Sequence, residues 1–509
     1  MRNIKCMLPG LAKLACDMTR WLNQSNTVAL VAVLALWRLY LSAGLQLHPD
    51  EAYYWLWSRH LDVGYFDHPP MVAYFIRLST LVSNSELWVR LTAVLVLLSV
   101  SALLWRLAMQ LYHNEAVAAG SVMLFNFYPL TMLGTLLITP DVPVLLFWSL
   151  SIYLFWQIME RGRVWQWYLL GLSFGLALLS KYTAVLLLPC FLLYLLLTPD
   201  RRWLRTPHPY LALLLGFCCF LPVLWWNSRN GWVSFAFQFR NGLGGEGMRV
   251  STLAEYSAGQ MLVVGPLVWL TGWAAAWAAW RRRDRQSLLL VCTSVPVILF
   301  FALSSLRKAA GPNWPACAYF SFSILVSHYA LAGYSRLRRP LWWVSLASTL
   351  ALALLCTVHA RFSILPLQRY APDLATADAT NAFHGWRELG AELKNLPDPH
   401  IAVTPSHQLS AEILYYTDSA ITARTAQASR PSQFNILGLS DAGDSDGRQR
   451  LYVWTDGDFT DPEHSNFAVS GHGKRLSTYR AGNVVRSFYL APGGTNLQQT
   501  ASISPATQP

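Results

Sequence analysis

The chain reads as a mainly α, polytopic helical membrane protein with a small C-terminal α/β domain, and three observations lead there. Of 509 residues, 54% are hydrophobic and 13% charged, with a mean hydropathy of +0.31, more apolar than a soluble protein of this length. Apolar runs of bilayer-crossing length recur as far as residue 360. Beyond that point they stop and polar residues increase. The 23 Trp and 22 Tyr are ample for aromatic belts at both interfaces.

In order, the apolar segments are 27–45, 87–112, 115–133, 142–160, 164–180, 182–198, 209–227, 254–280, 287–305, 314–332 and 341–359. That is roughly eleven spans of crossing length, or up to about thirteen if the short pair around Lys181 and the interrupted 228–253 stretch divide further. The first segment is longer than a signal-peptide core and no small-residue cleavage site follows, so it is expected to be a retained span. With the basic segment 1–26 (Arg2, Lys5, Lys13, Arg20) inside, alternate loops should be basic. They are: Arg161 and Arg163; Arg201, Arg202 and Arg205; Arg281, Arg282, Arg283 and Arg285; Arg336, Arg338 and Arg339. The alternation predicts a multi-pass membrane protein with a cytoplasmic N-terminus. Segments 46–86, 134–141, 228–253, 306–313 and everything after about residue 360 then lie outside. It also accounts for the net charge of +12 without a nucleic-acid partner.

The expected domains are the cytoplasmic segment 1–26, a membrane domain 27–359 with external loop 46–86, an external α/β domain 360–491 and a disordered tail 492–509. Within the α/β domain, 377–396 reads as an amphipathic helix ended by Pro397. Strand-like runs at 400–404, 450–455 and 484–490 follow, with a helix at 408–416 between the first two. The eight cysteines (Cys6, Cys16, Cys190, Cys218, Cys219, Cys292, Cys317, Cys356) sit in the N-terminal segment or in spans. No metal-ligand spacing appears among them, and buried inert thiols are expected.

Asp50 and Glu51 head the run His48-Pro49-Asp50-Glu51-Ala52-Tyr53-Tyr54-Trp55-Leu56-Trp57-Ser58, directly after the first span. An ionisable group at the membrane boundary is costly to hold and marks function by default. Helix capping competes, since Pro49-Asp50-Glu51 is good N-terminal chemistry. A second cluster, Tyr65-Phe66-Asp67-His68-Pro69-Pro70, lies in the same loop, and Asp141 opens a span within Thr139-Pro140-Asp141-Val142-Pro143. Three external carboxylates opening toward one leaflet can form a polar cavity. There one accepts a proton from an attacking hydroxyl, while others orient it or hold a divalent cation, with Asp50 and Asp141 as the candidate ligands. No other cofactor is expected.

Lys181, in Ser180-Lys181-Tyr182-Thr183, either snorkels to the interface or meets a phosphate as a point charge. Arg240, Arg307 and Lys308 are further external cations, to be read as headgroup-bound charges or as partners of the same anion. Gly-rich 241–247 lacks the strand-to-helix context and Lys-Ser/Thr of a nucleotide loop; its flexibility suits a lid. Tyr53, Tyr54, Trp55 and Trp57 are interfacial anchors or a wall for prenyl units or a sugar ring.

Asp50-Glu51 after the first span, Tyr65-Phe66-Asp67-His68-Pro69-Pro70 and Thr139-Pro140-Asp141 together resemble the polyprenol-phosphate-dependent GT-C glycosyltransferases. Within these the chain looks like the protein O-mannosyltransferase superfamily and the bacterial aminoarabinose and lipid A sugar transferases of glycosyltransferase family 83. Asn313-Trp314-Pro315-Ala316 and Phe383-His384-Gly385-Trp386 add to the likeness, which covers most of 40–320 and, more weakly, the external domain. The resemblance implies a GT-C fold and transfer of a sugar from undecaprenyl phosphate to a hydroxyl of lipid A or its core, another glycan, or a protein. It implies Asp50 as general base, Glu51 as its orienting neighbour and Asp141 as a second acid. Substrate contacts fall to Asp67, His68, Lys181, Arg240, Lys308, Asn313 and the aromatics Tyr53, Tyr54 and Tyr65. The aminoarabinose branch has Lys-Pro where this chain has His68-Pro69, which sets it apart from that branch.

A transporter or flippase of a lipid substrate is the rival class. It predicts ionisable or Gly/Pro-broken sites near mid-membrane in two matching halves, whereas charges here concentrate in loops and no duplication is evident. A non-catalytic polyprenyl-phosphate binder is the third reading.

Overall fold

The computed structural model describes residues 19–492 except 135, 243, 245–246, 334, 336, 371–377, 397–399, 427–428, 442–448 and 457–472. Expectations for the basic N-terminal segment with Cys6 and Cys16, for Arg336 and Pro397, and for the tail fall outside those residues. Two compact units emerge. One comprises the chain up to Gly44 with Leu61–Val358; the other joins Leu45–His60 to the chain from His359 onward.

In the first unit every apolar segment named above is helical, often with a break. The long helices are α1 (Gln24–Gly44), α4 (Glu86–Tyr112), α7 (Asp141–Arg161), α10 (His208–Arg229) and α17 (Arg338–Phe362), whose last turn belongs to the second unit. Helix α2 (Pro49–Arg59) lies in the second unit, and α3 (Met71–Ser79) in the loop that follows it. Segment 115–133 divides at Tyr128 into α5 (Glu115–Phe127) and α6 (Pro129–Gly134). Helix α8 (Gln166–Leu178) is followed by a 3-10 turn, Tyr182–Leu186, and α9 (Leu187–Leu197). Helix α11 (Val233–Gly242) precedes a stretch that splits into α12 (Val250–Val264) and α13 (Pro266–Arg282), bent by 102°. Helices α14 (Arg285–Cys292), α15 (Val295–Ser305) and α16 (Ala318–Leu331) complete the unit. Among the described residues, six helical stretches are long and apolar enough to cross a bilayer alone, Arg285–Ser305 counted as one; the total is up to eight if each bent pair is a single span.

Sequence dictates two of these features directly. Proline at 266 lacks the N–H that would continue α12, and Gly265 (φ 93°, ψ 134°) takes a conformation open essentially to glycine. Helices α8 and α10 approach backbone to backbone, because a Cβ at Gly171 would strike the Ala212 carbonyl and one at Gly175 would strike Cys219. Small residues are what let transmembrane helices come this close. Among the described residues, two arginines, Arg38 and Arg90, are buried among the spans. Arg38 of α1 donates to Asn126 O (3.2 Å) and Oδ1 (3.4 Å) where α5 ends, and Arg90 donates to Ser42 O (3.2 Å) in the last turn of α1. Both reach carbonyls that helix ends leave without intrahelical donors.

The second unit is built on a five-stranded sheet of order β2-β1-β3-β5-β4. Strands β1 (Ile401–Thr404), β2 (Thr422–Thr425) and β3 (Arg450–Thr455) are mutually parallel, while β4 (Lys474–Arg480) and β5 (Asn483–Pro492) pair antiparallel. Strand β5 joins the halves by pairing antiparallel with β3. Segment 377–396 is not one helix. A 3-10 turn, Ala379–Phe383, gives way at Gly385 (φ 94°) to α18 (Trp386–Lys394). Helix α19 (His407–Tyr416) packs on α2, with Tyr53 against His407 (ring centroids 4.4 Å) and Trp55 against Tyr415 (5.1 Å). Tyr416 Oη accepts from Leu47 N (2.8 Å), and Gln46 Oε1 accepts from Trp386 N (2.6 Å).

Candidate active site

The candidates fall into two groups, one in each unit. In the second unit, α2 opens with His48 as its N-cap and Pro49 at its first position. Asp50 N donates to His48 Nδ1 (3.2 Å) and His48 N to Glu51 Oε2 (2.9 Å), a reciprocal cap. Glu51 is therefore the buried carboxylate that secures the helix start. Asp50 keeps an accessible side chain, 45% exposed, with His48 Nδ1 at 3.9 Å from Oδ2. The capping explanation applies to Glu51 and leaves the Asp50 carboxylate open to a substrate. Tyr53, Tyr54, Trp55 and Trp57 are all buried. Tyr53 Oη accepts from Gln433 N (2.7 Å) and its ring stacks on Phe434, so this residue is part of the core of its unit rather than an interfacial anchor.

In the first unit, three residues drawn from distant parts of the chain meet. Lys181 Nζ lies 2.7 Å from Asp141 Oδ1, and Asn313 Nδ2 donates to Asp141 Oδ2 at 2.9 Å. The Lys181 and Asp141 side chains are only 10% and 19% exposed. Asp141 is the first residue of α7 and Lys181 sits in the break between α8 and the 3-10 turn. Lys181 therefore points at a carboxylate rather than outward along the interface.

A series of contacts and short chain connections runs from this group through the other candidates of the unit and back to it, as a ring. Asp67 is buried, and Gln238 Nε2 donates to its carbonyl (2.6 Å) and lies 3.4 Å from His68 Nδ1. Ser234, also on α11, donates to the Tyr65 carbonyl. Arg240 and Asn241 follow on the same helix, and Asn241 Oδ1 accepts from Lys308 Nζ (3.0 Å). Asn313 lies just beyond Lys308 in the chain and returns to Asp141 and Lys181. Leu179 O, next to Lys181, accepts from Met71 N (3.0 Å), which leads back through Pro70 and Pro69 to His68. Asp67, His68, Tyr65, Asp141, Lys181, Arg240, Lys308 and Asn313 are thus linked within one unit.

Several supports of this ring carry little sequence signal. Asp62 Oδ2 accepts from Trp226 Nε1 (2.7 Å), and its backbone N–H donates to Tyr65 Oη (3.0 Å). Tyr74 Oη donates to the Asp62 carbonyl (2.9 Å). Burial pushes the Tyr65 phenol well above its usual range, so it is a neutral hydroxyl. Asp62 was detectable only as another acid in the loop, and Gln238 only as a neighbour of Arg240.

For a divalent metal the donor set at Asp141 does not fit, because its two oxygens already face an ammonium and an amide. Among the described residues no group of three His, Cys, Asp or Glu is placed to hold an ion.

Residues 67–226 match the family described as dolichyl-phosphate-mannose-protein mannosyltransferase. The chain is 28% identical over 484 residues to the lipid A galacturonosyltransferase RgtD of Rhizobium johnstonii, covering 87% of this chain and 94% of that one. It is 23% identical over 294 residues to the undecaprenyl phosphate-alpha-4-amino-4-deoxy-L-arabinose arabinosyl transferase 2 of Proteus mirabilis, covering 52% of each. Its fold matches ArnT from Cupriavidus metallidurans, solved bound to undecaprenyl phosphate, with a TM-score of 0.61 at 15% identity over 93% of this chain and 99% of that one. The chain is a relative of the GT-C membrane glycosyltransferases. The family match begins at Asp67 and takes in Asp141 and Lys181. The mainly helical GT-C fold with a small C-terminal sheet domain is as expected, and so are a multi-pass membrane protein and an enzyme of the glycosyltransferase kind.

Proposed function

We propose that this protein is an inverting glycosyltransferase of the bacterial inner membrane. It moves a sugar from a polyprenyl phosphate to a hydroxyl of lipid A or its core on the periplasmic face. The supporting observation is the Lys181–Asp141–Asn313 cluster inside a ring that includes Asp67 and His68. The near full-length likeness to a lipid A galacturonosyltransferase makes lipid A the first acceptor, and galacturonosyl the first donor sugar, to test.

Asp50 takes the proton of the acceptor hydroxyl. The freed oxygen bonds to the anomeric carbon as the bond from that carbon to the phosphate oxygen breaks, and the electron pair leaves on the lipid phosphate. A single displacement inverts the anomeric centre. Because the leaving group is an anion, catalysis calls for cationic and hydrogen-bonding stabilisation more than for an acid. His68 and Arg240 serve the phosphate, and Lys181 holds Asp141 in place. Asp67 and Asn313 shape the polar floor.

The test uses purified protein in liposomes with a radiolabelled polyprenyl-phosphate sugar and lipid A. Wild type should transfer label. D50N should lose transfer by about a thousandfold, within the range that general-base catalysis supplies, while still binding polyprenyl phosphate. Failure of wild-type protein to label any hydroxyl acceptor, with donor binding intact, would favour a non-catalytic binder.

A further inference from the structure

The segments 240–249 and 304–308 are fastened together. The Ser304 hydroxyl donates to Gly242 O, Arg249 N donates to Leu306 O (2.7 Å), and Lys308 Nζ reaches Asn241 Oδ1 (3.0 Å). These fastenings gather four cations, Arg240, Arg249, Arg307 and Lys308, all exposed. Among the described residues none of the four is in a salt bridge. Elsewhere the chain does neutralise its charges, as at Arg285–Asp200 (2.8 Å) and Lys181–Asp141.

Resting on the topology proposed above, this cluster faces outside, where the positive-inside bias depletes lysine and arginine. Four cations that form no salt bridge among the described residues oppose that bias on the depleted side and call for a ligand. The donor presents a single phosphate to the ring, whereas four spread, solvent-facing cations suit a wider anion. Exposed charges of this kind act over about a Debye length, roughly 8 Å at physiological salt, and match phosphate or carboxylate groups on a large headgroup.

We infer that Arg249, Arg307 and Lys308, next to the donor-side Arg240, form the acceptor-recognition site, and that it takes a glycolipid whose headgroup carries several anionic groups. The acceptor is recruited by its phosphates or carboxylates, not by the hydroxyl that is modified. Arg249 and Arg307 determine acceptor specificity, since both side chains are exposed and neither is assigned to the donor phosphate.

The test is steady-state transfer by R249A/R307A in liposomes of zwitterionic lipid, with bis-phosphorylated lipid A, an acid-sugar-substituted lipid A and a dephosphorylated lipid A as acceptors. The expected result is a KM for either anionic acceptor raised about tenfold or more, with kcat and the donor KM unchanged. The wild-type preference for anionic over neutral acceptor should shrink by the same factor, and the salt dependence of the wild-type rate should flatten in the variant. R249K/R307K should recover most of the affinity. If the donor KM rises instead, the cluster serves the lipid phosphate and the inference fails. If KM rises equally for the neutral acceptor, the cluster acts through membrane headgroups or folding, and it fails likewise. Absence of transfer by wild type to every acceptor would instead remove the enzymatic reading beneath it.

Discussion

Lys181 and Asp141 show what a buried pair demands of each partner. With side chains 10% and 19% exposed at 2.7 Å, neither charge is well hydrated, and removing one leaves the other costly to bury. K181M should lower stability by about 3 kcal/mol, read as a drop in the thermal midpoint of detergent-solubilised protein, and should abolish transfer. K181M/D141N should recover most of that stability, since no lone charge remains, yet stay inactive. Equal melting of the single and double variants would mean that the pair does not hold the site together. A second residue-scale prediction concerns His407, buried beside Tyr53, whose imidazole is pushed down to about 3 by burial, with Arg430 acting in the same direction. An unfolded histidine titrates near 6.5, so between those values the unfolded chain takes up a proton that the folded one refuses. The His407 contribution is therefore complete above about pH 6.5 and declines as the pH falls toward 3, by up to about 1.4 kcal/mol per pH unit. His384, pushed down to about 4 mainly by burial, adds a slope of the same sign. H407Q should flatten the acid limb of a melting-temperature profile between about pH 4 and 7; an unchanged slope would rule His407 out as its source.

At the scale of elements, the 102° bend between α12 and α13 is fixed by its Gly-Pro step. Gly265 adopts φ 93° and ψ 134°, and a Cβ there would meet the Thr349 hydroxyl of α17. G265A should therefore cost about 2 kcal/mol or more from backbone strain alone, beyond any displacement of Thr349. If G265A melts with wild type, α12 and α13 must be able to straighten, and the 102° bend is not built into the sequence. The apolar length of 254–280 was legible, but the bend was not, because hydropathy averages over a Gly-Pro step. The same limit explains the two strands that sequence reading missed. Strand β2 (Thr-Ala-Arg-Thr) is short and polar, and β4 (Lys-Arg-Leu-Ser-Thr-Tyr-Arg) is an edge strand with three basic residues. Edge strands carry such charges to discourage foreign pairing, and this removes the alternation by which strands are recognised. Helix 408–416 and strands 400–404 and 450–455 were legible because their apolar faces are buried.

For the whole molecule, the class was readable because bilayer solvation acts on composition itself, and the external acids stood out as charges beside long apolar runs. The meeting of Asp141, Lys181 and Asn313 was not readable as geometry, since it depends on how α7, α8 and the approach to α16 pack. The orientation still rests on the alternation of basic loops, and that argument has a direct consequence. Arg163 lies exposed in a basic loop assigned to the cytoplasm, and Asp418, with a side chain 80% exposed, lies in the sheet-bearing unit assigned to the periplasm. The Lys394–Asp418 pair that a D418C change removes is surface-exposed and contributes at most about 1 kcal/mol. In a background with the native cysteines replaced, D418C should react with a membrane-impermeant maleimide in intact spheroplasts, and R163C only after permeabilisation. The reverse pattern would invert the topology and put the proposed site on the side where nucleotide sugars are available. Labelling of both positions in intact spheroplasts would require an even number of crossings between residues 163 and 418, whereas the segments after 163 (164–180, 182–198, 209–227, 254–280, 287–305, 314–332 and 341–359) are odd in number. The experiment therefore checks the parity of the membrane crossings as well as their direction.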